Sequence, residues 1–277
     1  MDGGSNNKRL QVESKRHSLD HIKMFDFNAK HILVKFRQVI LKHLIPEFIW
    51  PKVIILDHVP IQVRNAPYSF GVKYSLIKGD YEENERQLIN NHIKAGDIIF
   101  EFGGSIGILT SILTEKVGPT GRIISVEASC ELCKYSRTLF EKTDNVKIVN
   151  GYAFPVRHLN SKICINNFDE SRGSLGGLVT YSYDSNQVAL KENILDLEML
   201  IDKFKLTPNV LIIDIEGCEK ILSEQSPLYP SCIRMILIEL HPYIYGQDYA
   251  QSIIDSITSE GFYLTSSQAS VYLFERN

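Results

Sequence analysis

From Asp97 onward the chain alternates short apolar runs with amphipathic segments of helical spacing, and that alternation leaves few folds open. IIFEF (98–102), IISVEA (123–128), VKIVNG (146–151), VLIIDIE (210–216) and MILIELH (235–241) read as strands. Helical segments begin in GGSIGILTSILTEKV and ELCKYSRTLFEKT, in ILDLEMLIDKF (194–204) and in YAQSIIDSITSEG. FYLTSS and SVYLFER close the chain as an antiparallel pair. Strands this apolar, alternating with helices, imply a parallel sheet covered on both faces. Ligands of such sheets bind beyond the carboxyl ends of the strands, so function is to be sought just after each strand.

Ahead of this core, VIILDHVPIQV (53–63) and FGVKYSLI (70–77) read as strands separated by the turn-prone RNAPYS. YEENERQLINNHIKAGD (81–97) reads as a helix with Leu88, Ile89 and Ile93 on its apolar face. Between Asp20 and Leu44, apolar residues from Ile22 through Phe36 to Ile40 recur at helical spacing, which predicts a helix stopped by Pro46 and Pro51. That stripe packs on its own domain or forms a homodimer contact; a basic amphipathic helix can also lie on an anionic surface. The expected division is an N-terminal helical extension over 1–50 and one globular domain over 51–277.

Charge and cysteine content narrow the partners. Residues 1–52 hold ten Lys or Arg against five acids, which leaves a net of −8 in the rest of a chain whose total is −3. So acidic a body does not attract nucleic acid, whose binding rests on neutralising phosphates. No apolar run approaches the roughly 18 residues of a membrane span, and MDGGSNNKRLQ lacks the apolar stretch of a signal peptide. Five cysteines, an odd number at scattered positions, suit a reduced cytoplasmic protein. Cys130 and Cys133 form a CxxC with no second pair, which is weak as a zinc or redox signal.

After the first core strand comes Glu101-Phe102-Gly103-Gly104-Ser105-Ile106-Gly107. A dinucleotide fingerprint started at Gly103 would need glycines at 105 and 108, where Ser105 and Ile108 stand. GGSIG matches the GxSxG elbow of an α/β hydrolase, with Asp214 and His241 following in the order Ser…Asp…His. Against it, few strands precede the elbow, and the acids at 101 and 127 have no place in a triad. The third reading is the acid-glycine loop (D/E)xGxxxG, whose backbone approaches S-adenosyl-L-methionine. Glu101 then attracts the methionyl ammonium group. Glu127, ending the second strand, accepts hydrogen bonds from the ribose hydroxyls, as acids do in dinucleotide folds.

VLIIDIEGCEKIL (210–222) is a central strand too apolar to carry Asp214 and Glu216 without reason. Residues i and i+2 share a face, and IELHP repeats the pattern with Glu239 and His241. If the two strands are neighbours, three carboxylates and an imidazole converge on one rim. The plainer alternative is that the acids cap a helix near Gly217 and His241 merely ends a strand.

Taken together, KGDYEENERQLINNHIKAGDIIFEFGGSIG, IISVEAS, NVLIIDIEGCE and IELHP resemble the FkbM-type methyltransferases over roughly residues 79–241. The resemblance implies a class I, Rossmann-like fold with a seven-stranded, mostly parallel sheet. It also implies S-adenosyl-L-methionine as cofactor and methyl transfer to a hydroxyl of a sugar or natural-product-type small molecule or glycan. By it, Gly103, Gly104, Ser105 and Gly107 contact the cofactor with Glu101, Glu127, Tyr152 and Ala153, and Asp214 and Glu216 lie at the transfer site. The chain departs from the family in Glu101 for Asp, in Gly104-Ser105 for Ala-Asn, in Ile212 for Lys, and in having no acid in Gly151-Tyr152-Ala153.

In that reading His241 is the general base, oriented by Glu239 or Asp214, and no metal is needed. The competing arrangement is a divalent cation held by Asp214, Glu216 and Glu239. The polar stretch FDESRGSLGGLVTYSYDSN (168–186) is expected to cover the acceptor. A cofactor-binding module without catalysis is the remaining alternative.

Overall fold

A computed structural model describes residues 46–159, 163–169, 178–182 and 193–276. The N-terminal helix expected over 20–44, with the dimer contact assigned to it, lies outside the described residues. The described residues fall into two units, 46–52 with 63–66 and 53–62 with the residues from 67 on. Within the first, a 3₁₀ turn spans Glu47–Ile49, the Arg64 Nε–H donates to the Trp50 carbonyl (2.7 Å) and the Val63 N–H to that of Lys52 (2.9 Å).

The second unit is built on seven strands: β3 (Ile98–Phe102), β4 (Arg122–Glu127), β5 (Val146–Asn150), β10 (Val210–Ile213), β11 (Met235–Glu239), β12 (Tyr263–Gln268) and β13 (Val271–Glu275). Their spatial order is β12-β13-β11-β10-β3-β4-β5. All ladders are parallel except those of β13, which pairs antiparallel with both β11 and β12. This order, with one reversed strand next to the edge, is the class I methyltransferase arrangement. The strand interiors are apolar because helices cover the sheet, and Phe100, Phe102, Leu211, Ile213, Ile236, Ile238 and Phe274 are buried together in one core.

The order of the sheet reverses between β3 and β10: β4 and β5 lie on one side, β11 on the other. That switch point opens a crevice at the carboxyl ends of both strands. The opposite end is closed by Asp97, which accepts from Asn209 Nδ2 (2.9 Å) and Arg234 (2.5 Å).

The remaining strands form pairs: β1 (Val53–Leu56) with β2 (Val59–Gln62), β6 (Tyr152–Phe154) with β9 (Ile194–Asp196), and β7 (Cys164–Asp169) with β8 (Leu178–Ser182). Residues 70–77, expected as a strand, are instead helix α1 (Phe70–Lys78). The local signals explain the correction: the Ser69 hydroxyl accepts from the Val72 N–H and Gly79 closes the helix at φ 80°. These caps outweigh the β-favouring Val72, Tyr74 and Ile77. Helix α2 (Glu83–His92) follows, then α3 (Ile108–Val117), α4 (Cys130–Leu139), α5 (Leu197–Phe204), α6 (Ile221–Glu224), α7 (Pro242–Tyr245) and α8 (Gln247–Ser259). Of the stretch expected to cover the acceptor, 168–169 and 178–182 belong to the β7–β8 ladder and the rest lies outside the described residues.

Candidate active site

The crevice at the switch point is lined by Glu101, Gly103, Gly104, Ser105, Glu127, Tyr152, Ala153, Asp214, Glu216 and Glu239, together with Tyr81, Glu82 and Phe154. Residues read from the sequence as two separate groups thus share one wall. Gly107 and His241 are not on it: Gly107 caps α3, and His241 sits behind Asp214 and Glu216.

The glycine loop is set by close approach. A β-carbon on Gly103 would lie 1.6 Å from the Asp214 carbonyl oxygen, and its φ of 93° excludes ordinary side chains as well. The Asp214 N–H donates to the Phe102 carbonyl (2.9 Å), so β3 and β10 stay hydrogen-bonded up to the point where they turn away. Gly103 and Gly104 both donate to the Val126 carbonyl (2.8 and 3.0 Å), which holds the loop over the end of β4. Ser105 adopts φ 47°, and its carbonyl accepts from Ser136 Oγ (2.9 Å).

Glu127 takes two backbone amides, Ser105 N–H on Oε2 (2.8 Å) and Ser129 N–H on Oε1 (2.7 Å). Burial pushes its carboxyl up to about 7 against the pull of those amides. Glu101 is 2% exposed, and Thr110 Oγ1 donates to its Oε2 (2.5 Å). Burial raises it too, with Ser125 and Thr110 acting the other way. Beyond Glu127 the wall turns apolar at Leu109, Ala128, Tyr152 and Ala153, a surface suited to a flat ring. Asn150 Nδ2 donates to the Glu127 and Ala128 carbonyls and steadies that edge (2.9 and 3.0 Å).

Across the crevice, Asp214 and Glu216 face His241, with Nε2 at 3.6 Å from each carboxylate. The other ring nitrogen, Nδ1, donates to Oε1 of Glu219 (3.1 Å), a fully buried residue that the sequence reading passed over. Glu219 also accepts the Ile215 and Gly217 amides (3.0 and 2.9 Å), so one carboxylate shapes the 214–217 turn and fixes the ring. Glu216 at φ 50° and Gly217 at φ 103° make the turn sharp. The ring nitrogen Nδ1 thus has Glu219 as its hydrogen-bond partner, not the Glu239 or Asp214 named above. Glu239 itself accepts from Ser270 Oγ (2.7 Å).

Burial alone would lower the His241 pKa, but the hydrogen bond and charge of Glu219, with Asp214 and Glu216, raise it to about 10. Burial and the charge of Glu239 hold the Asp214 carboxyl well above its ordinary range, with His241 opposing them.

Glu82, also unremarked in the sequence, enters the wall from the turn before α2 with φ 44°. Burial raises it to about 8. Arg86 fixes that turn by donating to the Tyr81 and Gly79 carbonyls (2.7 and 2.5 Å) and to Asp57 (2.9 Å). Neither Glu219 nor Glu82 stands at a strand end, and DIEGCE and KGDYEEN each place the acid beside other acids, so the sequence does not single it out.

The serine-hydrolase alternative fails on topology and on geometry. The sheet order is that of another fold, and the His241 ring is engaged by Glu219, Asp214 and Glu216.

Comparison with known proteins gives one partial family match and several similar solved structures. Residues 83–153 match the family model described as Protein-L-isoaspartate(D-aspartate) O-methyltransferase. No curated protein matches the chain. Among solved structures, Aeropyrum pernix fibrillarin in complex with natively bound S-adenosyl-L-methionine is 13% identical, with a TM-score of 0.42 over 69% of this chain and 73% of that one. Precorrin-6y C5,15-methyltransferase from Geobacter metallireducens GS-15 is 12% identical, with a TM-score of 0.40 over 70% and 88%. A protein-L-isoaspartate O-methyltransferase is 27% identical, with a TM-score of 0.22 over 24% and 21%. The strand order, with the matched first half of the core, gives the chain a class I, S-adenosyl-L-methionine-dependent methyltransferase fold.

Proposed function

We propose that the protein is an S-adenosyl-L-methionine-dependent O-methyltransferase acting on a hydroxyl of a sugar or natural-product-type small molecule. The observation that carries this reading is Gly103 pressed against the Asp214 carbonyl, which joins the glycine loop to the acidic turn in one crevice. In it the glycine loop, Glu101 and Glu127 hold the cofactor's amino-acid and ribose portions, and Tyr152 and Ala153 flank its base. Asp214, Glu216 and Glu239, with His241 behind them, act on the acceptor and its proton. The cofactor supplies the activated methyl group when bound; the residues position both partners and dispose of the proton.

The acceptor class is supported by the FkbM-like segments, all of which contribute to this crevice or its backing. An O-methyltransferase is also what the family model matched over 83–153 describes. A wall of six carboxylates (Glu82, Glu101, Glu127, Asp214, Glu216 and Glu239) favours a neutral or cationic acceptor over a polyanion. Free cysteines at 130, 133, 218 and 232 suit a reducing, cytoplasmic setting. Among the described residues no helix is long and apolar enough to cross a membrane.

Titration calorimetry with S-adenosylhomocysteine tests the cofactor, run beside Glu127→Ala. Heat with the wild type and its loss in the variant are expected; no heat with pure wild-type protein overturns the proposal. Transfer of labelled methyl to neutral glycans or small molecules of a cell extract tests the acceptor. Heat without transfer to any of them would favour a binding module.

A further inference from the structure

The turn after β10 holds two features that the methyl-transfer reading leaves unexplained. Oδ1 of Asp214 is shut off from solvent and has no hydrogen-bond partner among the described residues. Nε2 of His241, on a side chain 5% exposed, faces two carboxylate oxygens, both at 3.6 Å and beyond hydrogen-bond length. A buried carboxylate oxygen in such a state calls for a specific reason.

We propose that Asp214 Oδ1, Glu216 Oε2 and His241 Nε2 are the ligands of one divalent cation, Mg²⁺ or Mn²⁺, that binds and acidifies the acceptor hydroxyl. One ligand atom from each of the three residues lies within 4.8 Å of the other two. Ligands held at about 2.0–2.2 Å from a shared ion stand roughly 3–3.5 Å apart, so small side-chain movements close the set. The backing is that of a metal-ligating histidine: Nδ1–H is committed to Glu219, which is itself fixed by two backbone amides, and Nε2 is thereby aimed at the carboxylates. Two carboxylates with one imidazole suit an oxygen-preferring cation better than thiophilic metals. Cation and proton compete for the same nitrogen.

The chemistry gives the ion its purpose, and there the inference rests on the proposed function. Generating alkoxide character beside so many carboxylates is electrostatically unfavourable, and a cation among them offsets that repulsion at the acceptor oxygen. In the step, the acceptor oxygen forms its bond to the methyl carbon as the sulfur–methyl bond breaks. The cofactor leaves as a neutral thioether, and the hydroxyl proton passes to a wall carboxylate outside the ligand set, Glu239. No oxidant or reductant is involved.

The test is Mn²⁺ titration of the metal-stripped full chain, with free ion followed by electron paramagnetic resonance. One saturable ion per chain is expected, weakened at least tenfold in Asp214→Asn and in Glu216→Gln. Both side chains are partly exposed, and each variant should still unfold in one cooperative transition, which separates loss of the ion from loss of the fold. Absence of stoichiometric Mn²⁺ binding to the wild type overturns the inference, and so does binding that survives both substitutions unchanged. Mn²⁺ binding in a chain that gives no heat with S-adenosylhomocysteine would overturn the methyltransferase reading and uphold the metal site.

Discussion

Replacing Glu219 with Gln isolates the residue that organises the catalytic side of the crevice. Its carboxylate accepts three donors: Ile215 N–H and His241 Nδ1–H on Oε1, and Gly217 N–H on Oε2. A carboxamide has one oxygen, so in either orientation its NH₂ meets at least one of those donors. One unsatisfied buried group costs about 1–3 kcal/mol. The substitution also leaves His241 without the nearest of its three carboxylates, and breaking a buried ion pair from one side costs about 3–5 kcal/mol. The two losses overlap on the same atoms, so the expected destabilisation is about 3–5 kcal/mol at pH 7. Urea unfolding of both proteins, with equal m-values, measures it. The His241 titration, followed by NMR of the ring, should shift down from about 10, since its strongest raising partner is gone. A loss below about 1 kcal/mol with an unmoved His241 titration would show that Glu219 is not the organising group.

Three further outcomes are expected. Gly103→Ala should destabilise the chain by more than about 3 kcal/mol and abolish S-adenosylhomocysteine heat, since its β-carbon overlaps the Asp214 carbonyl at a φ that resists side chains; a variant that melts like the wild type refutes the close approach. Glu127→Gln should weaken S-adenosylhomocysteine at least tenfold, because hydrogen bonds to a charged acceptor are worth about 1.5–3 kcal/mol; calorimetry reads it, and an unchanged affinity removes Glu127 from the ribose. The metal-stripped chain should lose thermal stability between pH 6 and pH 9. His241, raised to about 10, stabilises fully below its unfolded value near 6.5 and progressively less above it. Glu127 and Glu82, raised to about 7 and 8, cost stability increasingly as pH climbs past 4.5. Both effects share a sign, so a Tm that rises over that interval contradicts the burial of these groups.

The sheet was legible because its strands are buried on both faces and therefore uniformly apolar, as in Val210–Ile213 and Met235–Glu239. Residues 70–78 were not, because apolar spacing over nine residues is ambiguous and the helix is decided by Ser69 and Gly79 at its ends. On the site, strand-end position located Glu127, Asp214, Glu216 and Glu239, since the carboxyl ends of parallel strands gather at the switch point. The same logic could not say which acid holds His241. Glu219 reaches the ring from a 3₁₀ turn, Cys218–Lys220, whose direction depends on two left-handed residues. Glu82 comes from a segment before the first core strand, where no strand-end rule applies. Tertiary placement alone reveals both.

The acidic lining of the crevice bears on turnover as well as on recognition. If the cofactor is the sulfonium proposed here, it enters carrying a positive charge on sulfur, and the departing thioether carries none there. The ionised carboxylates of the wall attract the first more than the second, and their number grows with pH because burial raises Glu82, Glu101, Glu127, Asp214 and Glu216. Each methyl transfer therefore weakens the hold on its own by-product. Inhibition by accumulated S-adenosylhomocysteine should accordingly be mild and should deepen as added salt screens the wall.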